Sequence, residues 1–220
     1  METLDLCRQT YNFLPELAEI CGIHAGDGYL RSSELDISGS IEEKEYYDGR
    51  IKLLFKLLFN TDIKTRYYPS RRTYGFKLYD KKIIEFLHNK MGFPYGSKTL
   101  KVRVPKFILS ANNLRLYSAF LRGYFDADGC VTFRRQYGGL NPRFRTIYHV
   151  YPKVSLSSVS VKLIKDVAFL LRRLGFTYYS GSYRSKRINE HRRYVIQLNG
   201  VSKLERWMSL IGSKNSTQLS

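Results

Sequence analysis

Ile20-Cys21-Gly22-Ile23-His24-Ala25-Gly26-Asp27-Gly28 and Leu121-Arg122-Gly123-Tyr124-Phe125-Asp126-Ala127-Asp128-Gly129 are two versions of one design, set 101 residues apart. Each is an apolar helical run carrying a small residue, a second small residue four positions on, and then Asp-Gly. Gly22 and Gly26 answer to Gly123 and Ala127, and Asp27 answers to Asp128. Small residues four apart form one smooth stripe on a helix, so two such helices can pack with their backbones close together. Side by side, they would bring their C-terminal aspartates to one point.

That point is electrostatically unusual. A helix C-terminus carries about half a negative charge and favours Lys or Arg in its last turn, yet here two carboxylates meet two helix ends. Like charges this close raise a pKa or require a counter-ion. Carboxylates with backbone carbonyls are hard oxygen ligands that suit Mg²⁺ or another divalent cation. Asp27 and Asp128 are therefore the candidate ligands, with the carbonyls of Gly26 and Ala127 beside them. Gly28 and Gly129 are expected in the left-handed position just past each helix end.

The 220 residues allow one large domain or two of about 100. An apolar fraction of 43% with 15% aromatics indicates a folded chain. Cys7, Cys21 and Cys130 include no C-x-x-C pair and no metal-ligand spacing. They fit a reducing intracellular, cytoplasmic setting, and no signal peptide or membrane-length apolar run is visible. The net charge of +18 is unevenly spread. Residues 1–110 hold 18 Lys/Arg against 14 Asp/Glu, whereas residues 111–220 hold 19 against 5. An excess this size points to a polyanion, with nucleic acid foremost.

Hydrophobic periodicity and turn residues predict the order α-β-β-α-β-β-α twice, in halves 1–110 and 111–220. The predicted helices cover about 14–26, 42–59 and 81–90, then 112–127, 161–174 and 202–211. The first half ends with Gly96-Ser97-Lys98 and the second with Gly212-Ser213-Lys214. Residues 93–111 link the two halves, with Pro105 marking an extended approach to the second motif helix, and the Gly- and Pro-bearing segment 136–144 reads as a longer loop.

The two Asp-Gly segments resemble the signature of the LAGLIDADG homing endonucleases and their intron-maturase relatives. The second copy is close, departing mainly at Arg122, Tyr124 and Phe125. The first is looser, with Ala25 where the second has Asp126. The resemblance covers roughly 14–215. It implies an α+β fold of two αββαββα units related by a pseudo-twofold axis, their curved antiparallel sheets forming a DNA-binding saddle. It also implies that Asp27 and Asp128 are metal-binding and catalytic, and that cutting crosses the minor groove and leaves short 3′ overhangs. Lys98 and Lys214 are expected near the scissile phosphates, where a cation can tune the attacking water or the developing charge.

Strand alternation assigns one polar face to each sheet. In the first half it carries Arg31, Ser33, Asp36, Ser38, Arg66, Tyr68, Arg71, Arg72, Tyr74 and Lys77. In the second it carries Arg134, Arg135, Arg143, Arg145, Tyr148, Lys153, Tyr183, Arg184, Lys186, Arg187, Arg193 and Gln197. A twisted β-ribbon fits the major groove, where Arg reads guanine and Gln adenine while other cations hold phosphates.

These features lead to a monomeric, intron-encoded, Mg²⁺-dependent endonuclease that cuts double-stranded DNA at one long site. The alternatives are a maturase that binds its host intron RNA, and a DNA-binding regulator with a retired active site. The termini, Met1 and Leu219-Ser220, lack a splicing-type Asn and argue against an intein. His24 and His149 are not expected to be ligands or bases.

Overall fold

The structure is a computed structural model that describes residues 14–137, 148–184 and 190–219, without the side chains of 134–137 and 148–151. Its first helix, α1 (Leu14–Asp27), is buried on every side from Leu17 to Ala25. A helix buried on all sides belongs in a protein centre, and α1 lies there against α5 (Leu114–Asp128). Their contact is made by the predicted small residues. A Cβ on Gly22 would stand 2.2 Å from the Phe120 carbonyl oxygen, and one on Gly123 would stand 2.1 Å from that of Glu19. Both distances are impossible for a side chain, so the backbone crossing itself demands glycine.

Each motif helix leads into a four-stranded antiparallel sheet. The first sheet has β1 (Gly28–Leu30), β2 (Leu35–Ser40), β3 (Arg66–Tyr68) and β4 (Thr73–Leu78) in the order β1-β2-β4-β3. The second has β5 (Cys130–Tyr137), β6 (Tyr148–Ser158), β7 (Tyr179–Tyr183) and β8 (Arg193–Asn199) in the matching order β5-β6-β8-β7. The register aligns Tyr29, Asp36 and Lys77 across the first sheet and Cys130, Ser155 and Gln197 across the second. In both sheets the neighbouring rows point to the core, as Leu30, Leu35 and Leu78 do in the first.

Helices cover the core side of each sheet. Residues 41–59 form one helical stretch, α2, opened by a Ser40/Glu43 capping box and interrupted by a wide turn at Tyr47–Ile51. Asp80 caps α3 (Lys81–Asn89) by accepting from the amides of Lys82 and Ile83. Ser160 caps α6 (Val161–Arg173) and donates to the Val102 carbonyl, tying the linker to the second half. The last helix is α7 (Val201–Leu210), followed by a 3₁₀ turn at Ser216–Leu219. Among the described residues, no helix is long and apolar enough to cross a membrane.

Two expectations are corrected. The linker is not wholly extended, because Pro105, with φ −54°, starts the short helix α4 (Lys106–Ser110). Gly28 and Gly129 are not left-handed. Gly28 begins β1, and Gly129 has φ −88°. Their need for glycine is spatial, since a Cβ would lie 2.1 Å from His24 Nδ1 at Gly28 and 2.3 Å from the Phe125 ring at Gly129.

The halves share one continuous core, fastened by a buried ionic clasp. Glu19 of α1 is fully buried and accepts a forked pair of hydrogen bonds from Arg50 at 2.6 and 2.7 Å. Arg122 of α5 donates to the same carboxylate at 2.5 and 3.2 Å and also to the Ile211 carbonyl. Burial alone would raise the Glu19 pKa, but the two guanidiniums hold it below the usual value.

Candidate functional site

Tight crossing of α1 and α5 brings their C-terminal ends together at the foot of both sheets. A Cβ on Gly26 would touch the Ala127 methyl at 2.6 Å and reach the Asp128 carboxyl carbon at 3.5 Å. Asp27 is half-buried and Asp128 reaches the open face, yet both carboxyls sit in dense surroundings. For Asp27, desolvation and the neighbouring charges of Asp128 and Glu43 push the pKa well above the ordinary carboxylate value. Desolvation also raises that of Asp128, while Lys98 and Arg193 pull it back. The expected pair of aspartates is therefore assembled.

Lys98 arrives from the end of the first half. Its ammonium donates to the His24 carbonyl at 2.6 Å and to that of Gly26, supplying the cation that the last turn of α1 lacks. Burial lowers its pKa to about 8, and the attraction of Asp128 and Asp27 limits the fall. The Gly26 carbonyl, expected as an ion ligand, is thus already an acceptor for Lys98.

Lys214 departs from this pattern. Its side chain is exposed, and its backbone amide donates to Asp126 Oδ2 at 2.9 Å while the Ser213 hydroxyl donates to Oδ1 at 2.6 Å. Asp126 is fully buried, and desolvation raises its pKa to about 6. This carboxylate pins the Gly212-Ser213-Lys214 segment by its backbone and leaves the lysine side chain outside. In the first half Ala25 offers no such anchor, and Lys98 reaches the centre. Besides Lys98, the cation that the second half brings near Asp128 is Arg193 of β8, which donates to Ser157 Oγ at 3.2 Å. Sequence alternation had put Arg193 on the sheet face but gave no sign of this proximity.

Beyond Lys214 the chain crosses back to the first half. Asn215 Nδ2 donates at 2.8 Å to both the Asp126 carbonyl and Glu43 Oε1, and Gln218 joins it at Glu43. Tyr47 donates its hydroxyl to Asp27 Oδ2 at 3.0 Å. Neither contact was foreseen, because each joins residues remote in the sequence.

Two carboxylates with nearby carbonyls make a hard-oxygen donor set, which fits a small divalent cation that keeps several waters. Among the described residues no group of three His, Cys, Asp or Glu side chains forms a closed metal cage. His24 is buried with Nδ1 unpartnered beneath Gly28, and desolvation holds its pKa well below the usual value. It is a packed neutral ring, as expected.

The polar face of the first sheet carries Asp36, Ser38, Arg66, Tyr68 and Lys77, with Arg31, Ser33, Arg71 and Arg72 in adjoining turns. Arg66 and Arg71 stack on the Tyr68 ring at 4.9 and 4.8 Å. Asp36 is buried and holds Arg71 at 2.9 Å, while Glu34 holds Lys77. Tyr74 is corrected. It lies on the opposite, core-facing side, buried, with its hydroxyl on the Asp48 carboxylate. In the second sheet Lys153, Gln197 and Arg193 share the polar face, and Tyr183 and Arg184 are exposed at its outer edge. Arg143, Arg145, Lys186 and Arg187 lie outside the described residues, as do the side chains of Arg134, Arg135 and Tyr148.

Residues 115–212 match the family model described as the LAGLIDADG-like domain. The chain has the LAGLIDADG fold. It superposes on the homing endonuclease I-DmoI, in mesophilic variants, with a TM-score of 0.59 and 15% identity over 91% of this chain and 97% of that one. The meganuclease I-SmaMI gives 0.57 and 9% identity over 91% and 86%. Among curated proteins the chain is 28% identical to part of the replication factor C small subunit of Methanocaldococcus jannaschii, covering 93% of this chain and 10% of that protein. It is 27% identical to part of the ribonucleoside-diphosphate reductase NrdEB subunit alpha of Bacillus subtilis, covering 79% and 16%. The chain thus spans about a sixth or less of these curated relatives.

Proposed function

We propose that this chain is a site-specific endonuclease that hydrolyses both strands of duplex DNA with a divalent cation, Mg²⁺ or Mn²⁺. The convergence of Asp27 and Asp128 at the crossing of two motif helices, beneath two cation-bearing sheets, carries the reading. I-DmoI has been crystallised with DNA and Mn, which supports the same chemistry for a fold of this kind. The likeness of this segment to small parts of a replication factor, an aminotransferase and a reductase fits a module carried by unrelated hosts rather than a component of any one of their activities.

Asp27 and Asp128 would hold the ion, with the Ala127 carbonyl beside them. When bound, the cation would activate water and stabilise the leaving oxygen. The protein's own groups prepare the site for that chemistry. Lys98 places a partly desolvated ammonium within reach of the charges of both acids, suited to charge developing on a phosphate. Arg193 offers a second cation on the other side. The sheet faces would lie along the duplex, with Arg66 and Arg71 ordered on Tyr68 to meet bases or phosphates.

The test is incubation with a randomised duplex library and Mg²⁺ or Mn²⁺, followed by sequencing of cut ends. Reproducible breaks at one long site are expected, absent from Asp27→Asn and Asp128→Asn although both variants still bind the selected duplex. Binding without cutting by the unaltered protein would overturn the nuclease reading.

A further inference from the structure

We propose that Tyr47 is a positioning residue that fixes the Asp27 carboxylate and makes the two halves of the ion site unequal. The ring of Tyr47 is fully buried, so its hydroxyl is held in one place. It donates to Asp27 Oδ2 at 3.0 Å. The wide turn Tyr47–Ile51 begins at this residue, a local departure from regular helix of the kind common where a side chain must be aimed. Gly39 of β2 lines the same spot. A Cβ there would lie 3.1 Å from both the Tyr47 hydroxyl and Asp27 Oδ2, and 2.1 Å from Glu43 Oε2. Wide turn, buried phenol and side-chain-free strand residue thus form one socket around a single carboxylate oxygen.

The other acid has no such socket. Among the described residues no side chain donates a hydrogen bond to the Asp128 carboxylate. Asp27 therefore presents its second oxygen from a fixed carboxyl plane, whereas Asp128 remains free to turn. Preorganising a ligand raises ion affinity by removing the cost of ordering it. Tyr47 acts through Asp27 and touches neither ion nor substrate.

The nuclease reading enters one arm of the test, and the other stands apart from it. Mn²⁺ binding to Tyr47→Phe and to the unaltered protein is measured by the loss of the free-ion electron paramagnetic resonance signal, without DNA. Removing one hydrogen bond to a carboxylate is expected to weaken the tighter Mn²⁺ site about fivefold. The phenyl ring keeps the core filled, and an unchanged thermal midpoint verifies that. Gly39→Ala, which leaves Tyr47 intact but crowds the socket, is expected to weaken binding in the same direction. With a duplex target, Tyr47→Phe is expected to raise the Mn²⁺ needed for half-maximal cutting of one strand, whereas a general loss of structure would slow both equally. An identical Mn²⁺ titration for Tyr47→Phe and the unaltered protein would overturn the proposal, as would equal slowing of both strands. If Tyr47→Phe weakens Mn²⁺ binding but neither protein cuts any duplex, the role of Tyr47 stands and the nuclease reading falls.

Discussion

At the residue scale, two kinds of position set the site: glycines chosen for contact, and acids held against their charge. Gly22 faces backbone, which cannot move aside, so Gly22→Ala forces the motif helices apart. A loss of about 1–3 kcal/mol is expected in denaturant unfolding, the usual cost of overpacking. Gly49 is the control. Its Cβ would meet nothing within 4 Å, and Gly49→Ala should stabilise by about 0.5–1 kcal/mol. The raised pKa of Asp27 gives a second expectation. Since the metal-free fold prefers the protonated acid, that contribution is complete below the ordinary carboxylate pKa and disappears as pH rises through the raised value. Asp27→Asn cannot ionise. In chelator, its thermal midpoint should match the unaltered protein in acid and exceed it by a few degrees at pH 8. A constant difference across that range would refute the assignment.

At the element scale, most of the fold was legible because each helix and strand carries its own periodic signal. The helix expected at 161–174 is α6, Val161–Arg173, and the strand pair that the expected order puts after it is β7 with β8. Asp27 and Asp128 were readable because the repeat marks them twice. Three features were not legible, for different reasons. The wide turn at Tyr47–Ile51 leaves the hydrophobic spacing of α2 almost unchanged. Tyr74 stands three positions from Lys77, so alternation puts the two on opposite faces, and it was its hydroxyl, read as a surface mark, that set its side wrongly. The Lys98–Lys214 equivalence failed because Ala25 and Asp126, far away in sequence, decide which segment is pinned. This difference predicts unequal mutants. Lys98→Met should reduce cutting at least tenfold, since it removes the ammonium beside both aspartates. Lys214→Met should leave the rate within about twofold, as expected for an exposed side chain. Single-turnover cleavage measures both, and equal losses would restore the two-lysine symmetry.

At the scale of the whole molecule, the charge asymmetry predicts which half would grip duplex DNA more strongly. The first sheet spends its cations internally, because Lys77 is held by Glu34 and Arg71 by Asp36. On the second sheet Lys153 and Arg184 have no acidic partner among the described residues, Arg193 has Asp128 nearby but no salt bridge to it, and the whole half carries 19 basic residues against 5 acidic. A cation already paired with a carboxylate displaces fewer counterions on meeting a phosphate. An unpaired one contributes a full increment of about 0.9 to the slope of log affinity against log salt. Replacing Lys153, Arg184 and Arg193 together by Gln should therefore flatten that slope by about 2–3. The same change at Arg66, Arg71 and Lys77 should flatten it by about half as much, because Arg71 and Lys77 already spend their charge on Asp36 and Glu34 and displace fewer counterions. Fluorescence anisotropy of a labelled duplex between low and physiological salt, in chelator to prevent cutting, measures both slopes. Equal slopes for the two triple variants would mean that the halves share the phosphate backbone evenly and that the second half's excess charge lies off the binding face.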